Sequence, residues 1–390
     1  MSKHEKKTSS LLHYPVLVVF SLFFIGLFAL DMVTPDRSYS ELENTTLSQR
    51  PALTQFTAKG LNSYFTAYTK YVKDQVAGRD QWISLQSVVE TTLLQKQQNG
   101  GILLGKEHMM FPRTYGLLSS EERTLPKNTS AVESLCQRYP GKVNVLLAPA
   151  ASDIYPENVP VNAPLLDENT YLDQLSAAVQ AAGGRFVDVR GTLTDHKGEY
   201  LYYRTDHHWT SLGARYAFEA MAAQLGISQP IRNYDTYTVS TTFEGTLASR
   251  SGSHAAYDTV ELYVPQTDVE YYVSYGDAAE TSATIYDRSA LDQKDKYTVF
   301  FGGNYPRVDV YTTAETGKTL LLFKDSYANC LMQFLYPYYD HIILIDPRYY
   351  YDNVESVISR EQVTDVLFLY NANTYFEDTS LADVLNVSEN

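Results

Sequence analysis

Cysteine is nearly absent from this chain of 390 residues, in which Cys136 and Cys330 are the two that occur. Two cysteines do not form the disulfide framework that stabilises small exported domains. They leave two interpretations open, a single disulfide or two small core residues, since both have apolar neighbours. The spacings Cys-x-x-Cys and His-Glu-x-x-His, which are typical of zinc ligands, are also absent from the sequence. The composition therefore does not indicate a disulfide-rich or a zinc-binding fold.

Basic residues are few relative to acidic ones. Lys and Arg number 31 against 46 Asp and Glu, so the formal net charge is −15 and the isoelectric point is about 5.0. Binding to nucleic acid depends on clustered Lys and Arg that neutralise phosphates. The charge balance therefore argues against a nucleic-acid partner.

Tyrosine, by contrast, is abundant, with 33 residues. A ring with a polar tip suits carbohydrate surfaces, and it suits ordinary strands and half-buried surfaces equally well. Clusters of tyrosines lie at residues 202–203, 271–272, 338–339 and 349–351. For most of them the composition favours ordinary strand packing.

A long apolar run extends from Leu11 to Val33. About 20 residues are enough to span a bilayer as a helix. A cleaved signal peptide has a shorter apolar part that ends in small residues, whereas this run ends in Leu-Asp-Met-Val-Thr-Pro. We therefore predict a single-pass anchor in the cell membrane, with residues 1–10 in the cytoplasm and the rest of the chain outside. The basic residues that support this orientation precede the run: Lys3, Lys6 and Lys7.

The chain beyond the anchor is long enough for one large domain with accessory segments. Residues 34–135 combine a polar, proline-containing stretch with apolar residues at helical spacing, which predicts a stalk and a helical region. Strand and helix patterns alternate in residues 136–226 and again in residues 319–390, which predicts a mostly parallel sheet. Residues 227–318 contain short strand-like segments, among them Tyr297–Phe301, and they predict a β-rich insertion.

An acid, two imidazoles and an indole follow one another at Asp206, His207, His208 and Trp209. Such residues fill a core poorly and are costly to bury unpaired, so they indicate a site. In an extended segment Asp206 and His208 project to one side, and His207 and Trp209 project to the other. A carboxylate beside an imidazole orients it and stabilises the imidazolium, as in a hydrolytic triad. A solvated histidine and a metal site are the alternatives, and a nucleophile is needed to decide.

A candidate nucleophile is Ser326, which follows the apolar run 319–323 and begins a helical pattern. A serine at such a position caps the helix, or it turns its hydroxyl to the sheet edge and acts as a nucleophile. Its own backbone N–H then contributes to an oxyanion hole. Asp325 is an acceptable capping residue, which leaves Ser326 free for chemistry.

Four motifs occur in order: Thr-Asp-His-His-Trp-Thr at 205–210, Lys-Asp-Ser-Tyr-Ala-Asn at 324–329, Asp-Pro-Arg-Tyr-Tyr at 346–350 and Leu-Tyr-Asn-Ala-Asn at 369–373. With them the sequence resembles the DHHW proteins of Gram-positive bacteria. That family is similar to the alginate O-acetyltransferases and to the wider SGNH hydrolase superfamily. The resemblance implies an SGNH-like three-layer α/β/α fold with a mostly parallel sheet, to which the transmembrane helix and the β-rich insertion are added.

The resemblance also implies roles for individual residues. Ser326 corresponds to the nucleophile, His208 to the general base and Asp206 to the acid that orients it, without metal or cofactor. Supporting residues follow from the same motifs: His207, Trp209 and Tyr327.

Three residues have roles that the resemblance does not decide. Asn371 and Asn373 both match the asparagine of the oxyanion hole, and Arg348 is either a substrate anchor or part of a structural salt bridge.

The chain departs from the usual SGNH pattern in three ways. The acid and base precede the serine, one residue separates them, and Lys324 replaces the glycine before Asp-Ser.

The sequence therefore favours a membrane-anchored, extracytoplasmic SGNH-like serine O-acyltransferase or esterase acting on a cell-surface polysaccharide or other glycan. Ser326 takes an acetyl group, His208 carries the proton, and a sugar hydroxyl or water completes the reaction. The resemblance implies a multi-spanning membrane acyltransferase as the partner that supplies acyl groups. The alternative is a non-catalytic surface protein that binds or assembles polysaccharide, since fold does not establish activity.

Overall fold

The computed structural model describes residues 14–56, 60–113, 121–276 and 280–386. It divides the chain into two compact units, Met1–Leu93 and Leu94–Asn390. The predicted boundaries at residues 135, 226 and 318 stay predictions.

The first unit contains an apolar helix and two amphipathic ones. Its elements are α1 Pro15–Val33, β1 Tyr39–Ser40, β2 Thr45–Thr46, α2 Leu61–Gln75, α3 Arg79–Val88 and a π-helical turn Val89–Leu93. None of the residues of α1 is buried within the protein, and its length and composition make it a candidate membrane anchor or signal helix. The predicted cytoplasmic tail lies outside the described residues. Helices α2 and α3 are separated at Gly78, where φ is +69°.

The second unit is built around an eight-stranded sheet, with smaller sheets beside it. Its strands are β3 Gln98–Asn99, β4 Ile102–Leu104, β5 Met110–Pro112, β6 Val143–Ala148, β7 Arg185–Phe186, β8 Tyr234–Phe243, β9 Asp258–Pro265, β10 Tyr271–Tyr275, β11 Glu280–Ser282, β12 Arg307–Thr312, β13 Thr319–Lys324, β14 His341–Ile345 and β15 Asp365–Asn371. Strands β3 to β5 form one small sheet, and β8 and β9 form a hairpin. The large sheet has the order β11-β10-β12-β14-β13-β15-β6-β7.

The large sheet has a parallel part and an antiparallel part. All neighbours from β14 through β13, β15 and β6 to β7 are parallel, whereas β11, β10, β12 and β14 pair antiparallel. The predicted α/β architecture is therefore confirmed, and four of the seven strand pairings in the large sheet are parallel. The β-rich segment 227–318 contributes β10, β11 and β12 to this same sheet.

Helices cover the sheet on both faces. They are α4 Glu121–Arg138, α5 Ala151–Ile154, α6 Glu168–Ala181, α7 Arg190–Asp195, α8 Ser211–Met221, α9 Thr246–Ser251, α10 Tyr327–Leu335, α11 Val354–Arg360, α12 Ala372–Glu377 and α13 Leu381–Leu385. Side chains of β13 alternate between two cores: Leu320 and Leu322 pack with α8 and α10, whereas Leu321 and Phe323 pack with α4, α6 and α11 to α13. Burial on both faces explains why β13 reads as a continuous apolar run.

Two sequence-based expectations are decided by this architecture. Cys136 and Cys330 are both free and buried, and they lie in the two different cores, so they are core residues and not a disulfide. The strand predicted at Tyr297–Phe301 is wrong. A 3₁₀ turn occupies Lys296–Val299, and only Phe300 makes an isolated β-bridge, to Tyr286.

Candidate active site

Ser326 lies at the carboxyl edge of the parallel strands, between β13 and α10. Open α/β sheets place their ligands at this edge. The carboxylate of Asp325 accepts the N–H of Tyr327 at 2.9 Å and that of Asn371 at 2.9 Å. Ser326 itself makes no side-chain capping bond. Asp325 therefore does the capping, and the hydroxyl of Ser326 is available for another partner.

That partner is His208. The distance between His208 Nε2 and Ser326 Oγ is 2.7 Å, and that between His208 Nδ1 and Asp206 Oδ1 is 2.6 Å. Asp206 and His208 are both buried. The structure thus brings an acid, a base and a hydroxyl into one hydrogen-bonded chain, although 118 residues separate His208 from Ser326.

The segment that carries Asp206 and His208 is a closed loop and does not adopt the extended conformation in which Asp206 and His208 would share one side. A β-bridge joins Tyr202 to Trp209, and Tyr203 N–H donates to the carbonyl of His208 at 3.2 Å. The chain therefore turns between these residues, so that side chains do not alternate as they would along a strand.

His207 consequently lies beside the acid and does not project away from it. Its Nδ1 is 3.4 Å from Asp206 Oδ1 and 3.0 Å from Thr246 Oγ1, and its ring centroid is 4.0 Å from that of His208. Its side chain is 38% exposed. Burial of the ring and then the neighbouring His208 lower the pKa of His207. At neutral pH His207 is therefore an uncharged group at the rim of the site.

Trp209 and Tyr327 connect the loop to α10. The indole N–H of Trp209 donates to the carbonyl of Tyr327 at 2.9 Å, and the hydroxyl of Tyr327 donates to the carbonyl of His207. Both side chains are buried. They hold the loop that carries His208 against the start of α10, next to Ser326.

Asp206 is held in place by Thr246, which the sequence analysis did not identify as part of the site. Its Oδ2 accepts the backbone N–H of Thr246 at 2.8 Å and the Thr246 hydroxyl at 3.0 Å. Burial opposes ionisation, but the two histidines and these hydrogen bonds outweigh it and hold the pKa of Asp206 well below its ordinary value. A Cβ at Gly245 would lie 2.2 Å from the Cβ of Asp206, so glycine is required by close approach.

Tyr297 is the second residue that sequence reasoning missed. Its ring stacks on that of His208, with centroids 3.8 Å apart and an interplanar angle of 11°. Its hydroxyl donates to the carbonyl of Ser326 at 2.8 Å. Tyr297 thus contacts both the base and the residue that carries the hydroxyl. The sequence pattern around Tyr297 indicated a strand and gave no sign of a contact with the site.

Lys324 is the residue that departs most clearly from the SGNH pattern. Its side chain is buried, and its ammonium donates to Asn329 Oδ1 at 2.8 Å and to Asn304 Oδ1 at 3.1 Å. Burial lowers the pKa of Lys324 to about 8. Lys324 therefore occupies a polar pocket of its own between the loop 302–306 and α10.

The two asparagines and Arg348 have different surroundings. Asn371 caps α12: its Oδ1 accepts the N–H of Asn373 at 3.2 Å, and its Nδ2 donates to the carbonyl of Ala148 at 3.2 Å. The side chain of Asn371 is thus engaged within the protein. Arg348 makes a bidentate ion pair with Asp346, with distances of 2.8 and 2.6 Å.

A cleft of about 460 Å³ opens beside Asp206 and His207. Thr246, Asn371 and Asn373 also line it. Two arginines also reach the cleft: Arg113 and Arg250. This is a concave polar site at the sheet edge, of a size that accepts a small acyl donor or a sugar.

Asp206, His207 and His208 also meet the distance requirement for a metal site, since their ligand atoms lie within 4.8 Å of one another. Among the described residues no other such group was found. A metal ion bound there would have to replace the hydrogen bond between Asp206 and His208. At 2.6 Å this is the shorter of the two hydrogen bonds that His208 makes to Asp206 and Ser326. The arrangement is therefore better suited to proton transfer.

Comparison with known proteins places this chain in a family. The profile of the family described as "SGNH hydrolase-like domain, acetyltransferase AlgX" matches residues 102–307, which include the acid and base and end before Ser326. A probable alginate O-acetylase AlgJ of Pseudomonas syringae is 24% identical over 136 residues, and the one of Pseudomonas aeruginosa is 27% identical over 145 residues. These matches cover 34% and 35% of this chain and 35% and 37% of those proteins, so the chain spans about a third of the length of these relatives.

Solved structures agree with the fold. A DHHW family protein of Eubacterium siraeum superposes with a TM-score of 0.63 at 23% identity, over 75% of this chain and 98% of that one. PatB1 of Bacillus cereus gives a TM-score of 0.56 at 17% identity, over 71% and 98%. At these identities the likeness shows the fold alone. Because the family profile covers more than half of the sequence, this chain belongs to the SGNH hydrolase-like, AlgX-type acetyltransferase domain family.

Proposed function

We propose that this protein is a membrane-anchored, extracytoplasmic serine O-acetyltransferase that modifies a cell-surface polysaccharide. The observation that carries the proposal is the hydrogen-bonded chain from Asp206 through His208 to Ser326 at the carboxyl edge of the sheet. An oriented base within hydrogen-bond reach of a hydroxyl is the requirement for nucleophilic catalysis. The family relationship supports acetyl transfer as the reaction.

In the first half-reaction the oxygen of Ser326 attacks the carbonyl carbon of an acetyl donor. The hydroxyl proton passes to His208 Nε2, and ionised Asp206 stabilises the imidazolium that forms. The bond between the acetyl carbon and the donor oxygen then breaks, and His208 returns the proton to that oxygen. The products are the free alcohol of the donor and an acetyl ester on Ser326.

In the second half-reaction a sugar hydroxyl attacks the acetyl ester. His208 takes the hydroxyl proton and delivers it to the oxygen of Ser326 as the ester bond breaks, which restores the serine. Water in place of the sugar gives hydrolysis through the same residues. Binding of the acceptor and exclusion of water therefore determine whether transfer or hydrolysis dominates.

The oxyanion of each tetrahedral intermediate needs hydrogen-bond donors. We assign one of them to the side-chain amide of Asn373. It lines the cleft, whereas the amide of Asn371 is already bound to the carbonyl of Ala148. The backbone N–H of Ser326 is the natural second donor, since it belongs to the nucleophile itself.

The anchor and the acyl supply complete the proposal. With α1 as an uncleaved span and its basic flank inside, Ser326 faces the cell exterior. Activated acetyl groups are made in the cytoplasm, so an outward-facing transferase needs a partner that carries them across the bilayer. A multi-spanning membrane acyltransferase is the class of protein that fits this role. Protease treatment of intact, wall-stripped cells should remove the Ser326 domain, whereas release of the whole chain with a new N-terminus near Asp31 would refute the anchor.

The catalytic proposal is tested on the full chain in detergent with 4-nitrophenyl acetate. Replacement of Ser326 by alanine should lower kcat by about 10³-fold or more with an unchanged melting temperature, because the nucleophile is lost without a change in packing. A serine-directed phosphonate should label Ser326 in the wild type, as read by mass spectrometry of the tryptic peptide. Turnover by the Ser326→Ala variant at the wild-type rate, or labelling of another serine, would refute the role of Ser326.

A further inference from the structure

The antiparallel strands of the large sheet have a polar and aromatic face on the side opposite to α10. Val308 and Val310 of β12 point into the core that also contains α10. Because side chains alternate along a strand, Arg307, Asp309 and Tyr311 point to the other face. A cavity of about 540 Å³ lies there, separate from the cleft beside His207.

This cavity is rich in tyrosine, and we call it the tyrosine groove. Its floor is formed by Arg307, Asp309 and Tyr311, and its wall by the loop Tyr349 to Tyr351 that follows β14. The groove is therefore defined by β12 and the loop between β14 and α11, and Ser274 of the neighbouring strand β10 also lines it.

The tyrosine rings of the groove differ in how far they are covered. Tyr311 stacks on Tyr272 with centroids 5.0 Å apart and on His341 at 4.3 Å, so its ring is packed within the protein. Tyr349 is 46% exposed and Tyr351 is 82% exposed. Strand packing explains buried tyrosines but not these two, which present their rings to solvent.

The charges of the floor are satisfied within the protein. The carboxylate of Asp309 accepts two hydrogen bonds from Arg307, both of 2.7 Å, and lies 2.8 Å from His341 Nε2. Arg307 also pairs with Glu361 at 3.4 Å. A floor of paired and fixed polar groups offers hydrogen bonds without a strong field of one sign. Such a surface suits a polyhydroxyl ligand better than an ion.

We propose that the tyrosine groove is a second binding site for polysaccharide. The C–H faces of the sugar rings pack on the exposed tyrosine rings, and the sugar hydroxyls bind to the exposed polar side chains that line the groove, Asp352 and Arg360. This inference rests on the proposed function for the identity of the polymer.

The groove is placed to serve the reaction at Ser326. The loop that forms its wall leaves the end of β14, and β14 is the direct neighbour of β13, with Ile345 paired to Phe323. A polymer held in the groove raises the effective concentration of its other segments near the site. The groove should therefore affect the use of long acceptors and not the chemistry of small esters.

The test measures binding of the full chain in detergent to sacculi that retain their attached polysaccharide. The sacculi come from the producing organism and are stripped of protein with detergent and protease, which removes protein partners. The double variant Tyr349→Ala/Tyr351→Ala should bind at least tenfold more weakly than the wild type. Tyr351→Phe should bind normally, because the ring is kept. Tyr237→Ala is the matched control, since Tyr237 is 53% exposed on β8 and does not line the groove.

The same variants are assayed with 4-nitrophenyl acetate, and their rates should equal that of the wild type. Equal binding of the double variant and the wild type would overturn the inference, and so would a wild type that does not bind the sacculi. Normal sacculus binding by a wild type that turns over no ester would instead refute the catalytic proposal and leave the groove intact.

Discussion

Residues 319–371 and residues 244–300 contribute to the candidate site in different ways. The first region supplies Ser326 from a regular strand-to-helix connection in the parallel part of the sheet. The second supplies Gly245 and Thr246 from the start of the short helix α9 and Tyr297 from a 3₁₀ turn, and these residues surround the acid and the base. The comparison indicates that the reacting group lies on a regular scaffold, whereas its alignment with the base depends on loops.

The largest effect should come from the acid itself. Asp206→Asn should lower kcat for 4-nitrophenyl acetate by about 10³- to 10⁴-fold, because an amide neither orients His208 in the required tautomer nor stabilises its imidazolium. Asp235→Asn, at an exposed position on β8, controls for the loss of one charge and should be neutral. A variant that keeps more than a tenth of the activity would show that His208 works without Asp206.

The same substitution has a pH-dependent effect on stability. The pKa of Asp206 is lower in the folded protein than the value of about 3.9 expected for the unfolded chain. Its charge therefore stabilises the fold at neutral pH, and this contribution is lost as the pH falls below about 4. The difference in free energy of unfolding between wild type and Asp206→Asn should accordingly narrow in acid, as measured by urea denaturation.

The next largest effect should come from the loop region. Gly245→Ala forces a Cβ into the space of the Asp206 Cβ, and displacement of the acid by about 1 Å should cost about 10²-fold in kcat. Gly191→Ala is the matched control, because a Cβ there meets nothing within 4 Å. If Gly245→Ala matched the wild type in both activity and melting temperature, the loop would not position the acid.

The two contacts of the Tyr297 side chain, its ring with His208 and its hydroxyl with the Ser326 carbonyl, can be tested separately. Tyr297→Phe keeps the ring on His208 and loses the hydrogen bond to the Ser326 carbonyl, whereas Tyr297→Leu loses both. We expect kcat to fall a few-fold in the first and about tenfold in the second, with KM for the small ester nearly unchanged. A fall in melting temperature without a fall in kcat in either variant would assign Tyr297 to packing alone.

The smallest effect is expected for His207. His207 lies 3.4 Å from Asp206, whereas the hydroxyl of Ser326 contacts His208. His207→Ala should therefore retain activity within about tenfold of the wild type. His208→Ala is the comparison, and it should be nearly inactive. Equal and complete losses in both variants, together with metal in the purified wild type, would favour a metal site at these residues.

The parallel strands and their motifs could be predicted because their patterns are local. Each strand buried on both faces gives an apolar run, and Ser326 and Asp206 stand in motifs of recognisable chemistry. The conformation of the loop around His207 could not be predicted in this way. Its shape is set by hydrogen bonds to distant residues, among them the contact of His207 with Thr246.

The contacts of Thr246 with Asp206 and of Tyr297 with His208 could not be predicted from the sequence pattern either. A threonine at the start of a short helix and a tyrosine in a 3₁₀ turn have no periodic signal, and each is placed by tertiary contacts with a loop far away in sequence. The choice between Asn371 and Asn373 likewise depended on which amide is already bonded, which spacing does not reveal.

The order of strands in the sheet bears on how this protein is made. β6 pairs with β7 over two residues, and its other neighbour is β15, so residues 143–148 remain nearly unpaired until residues 365–371 have been synthesised. β13, at the centre of the parallel part, likewise waits for β14 and β15. Pairing between segments so far apart is slow and leaves apolar strand edges open in the meantime. The central sheet is therefore completed only once β15 is available, and until then its apolar strands are open to aggregation.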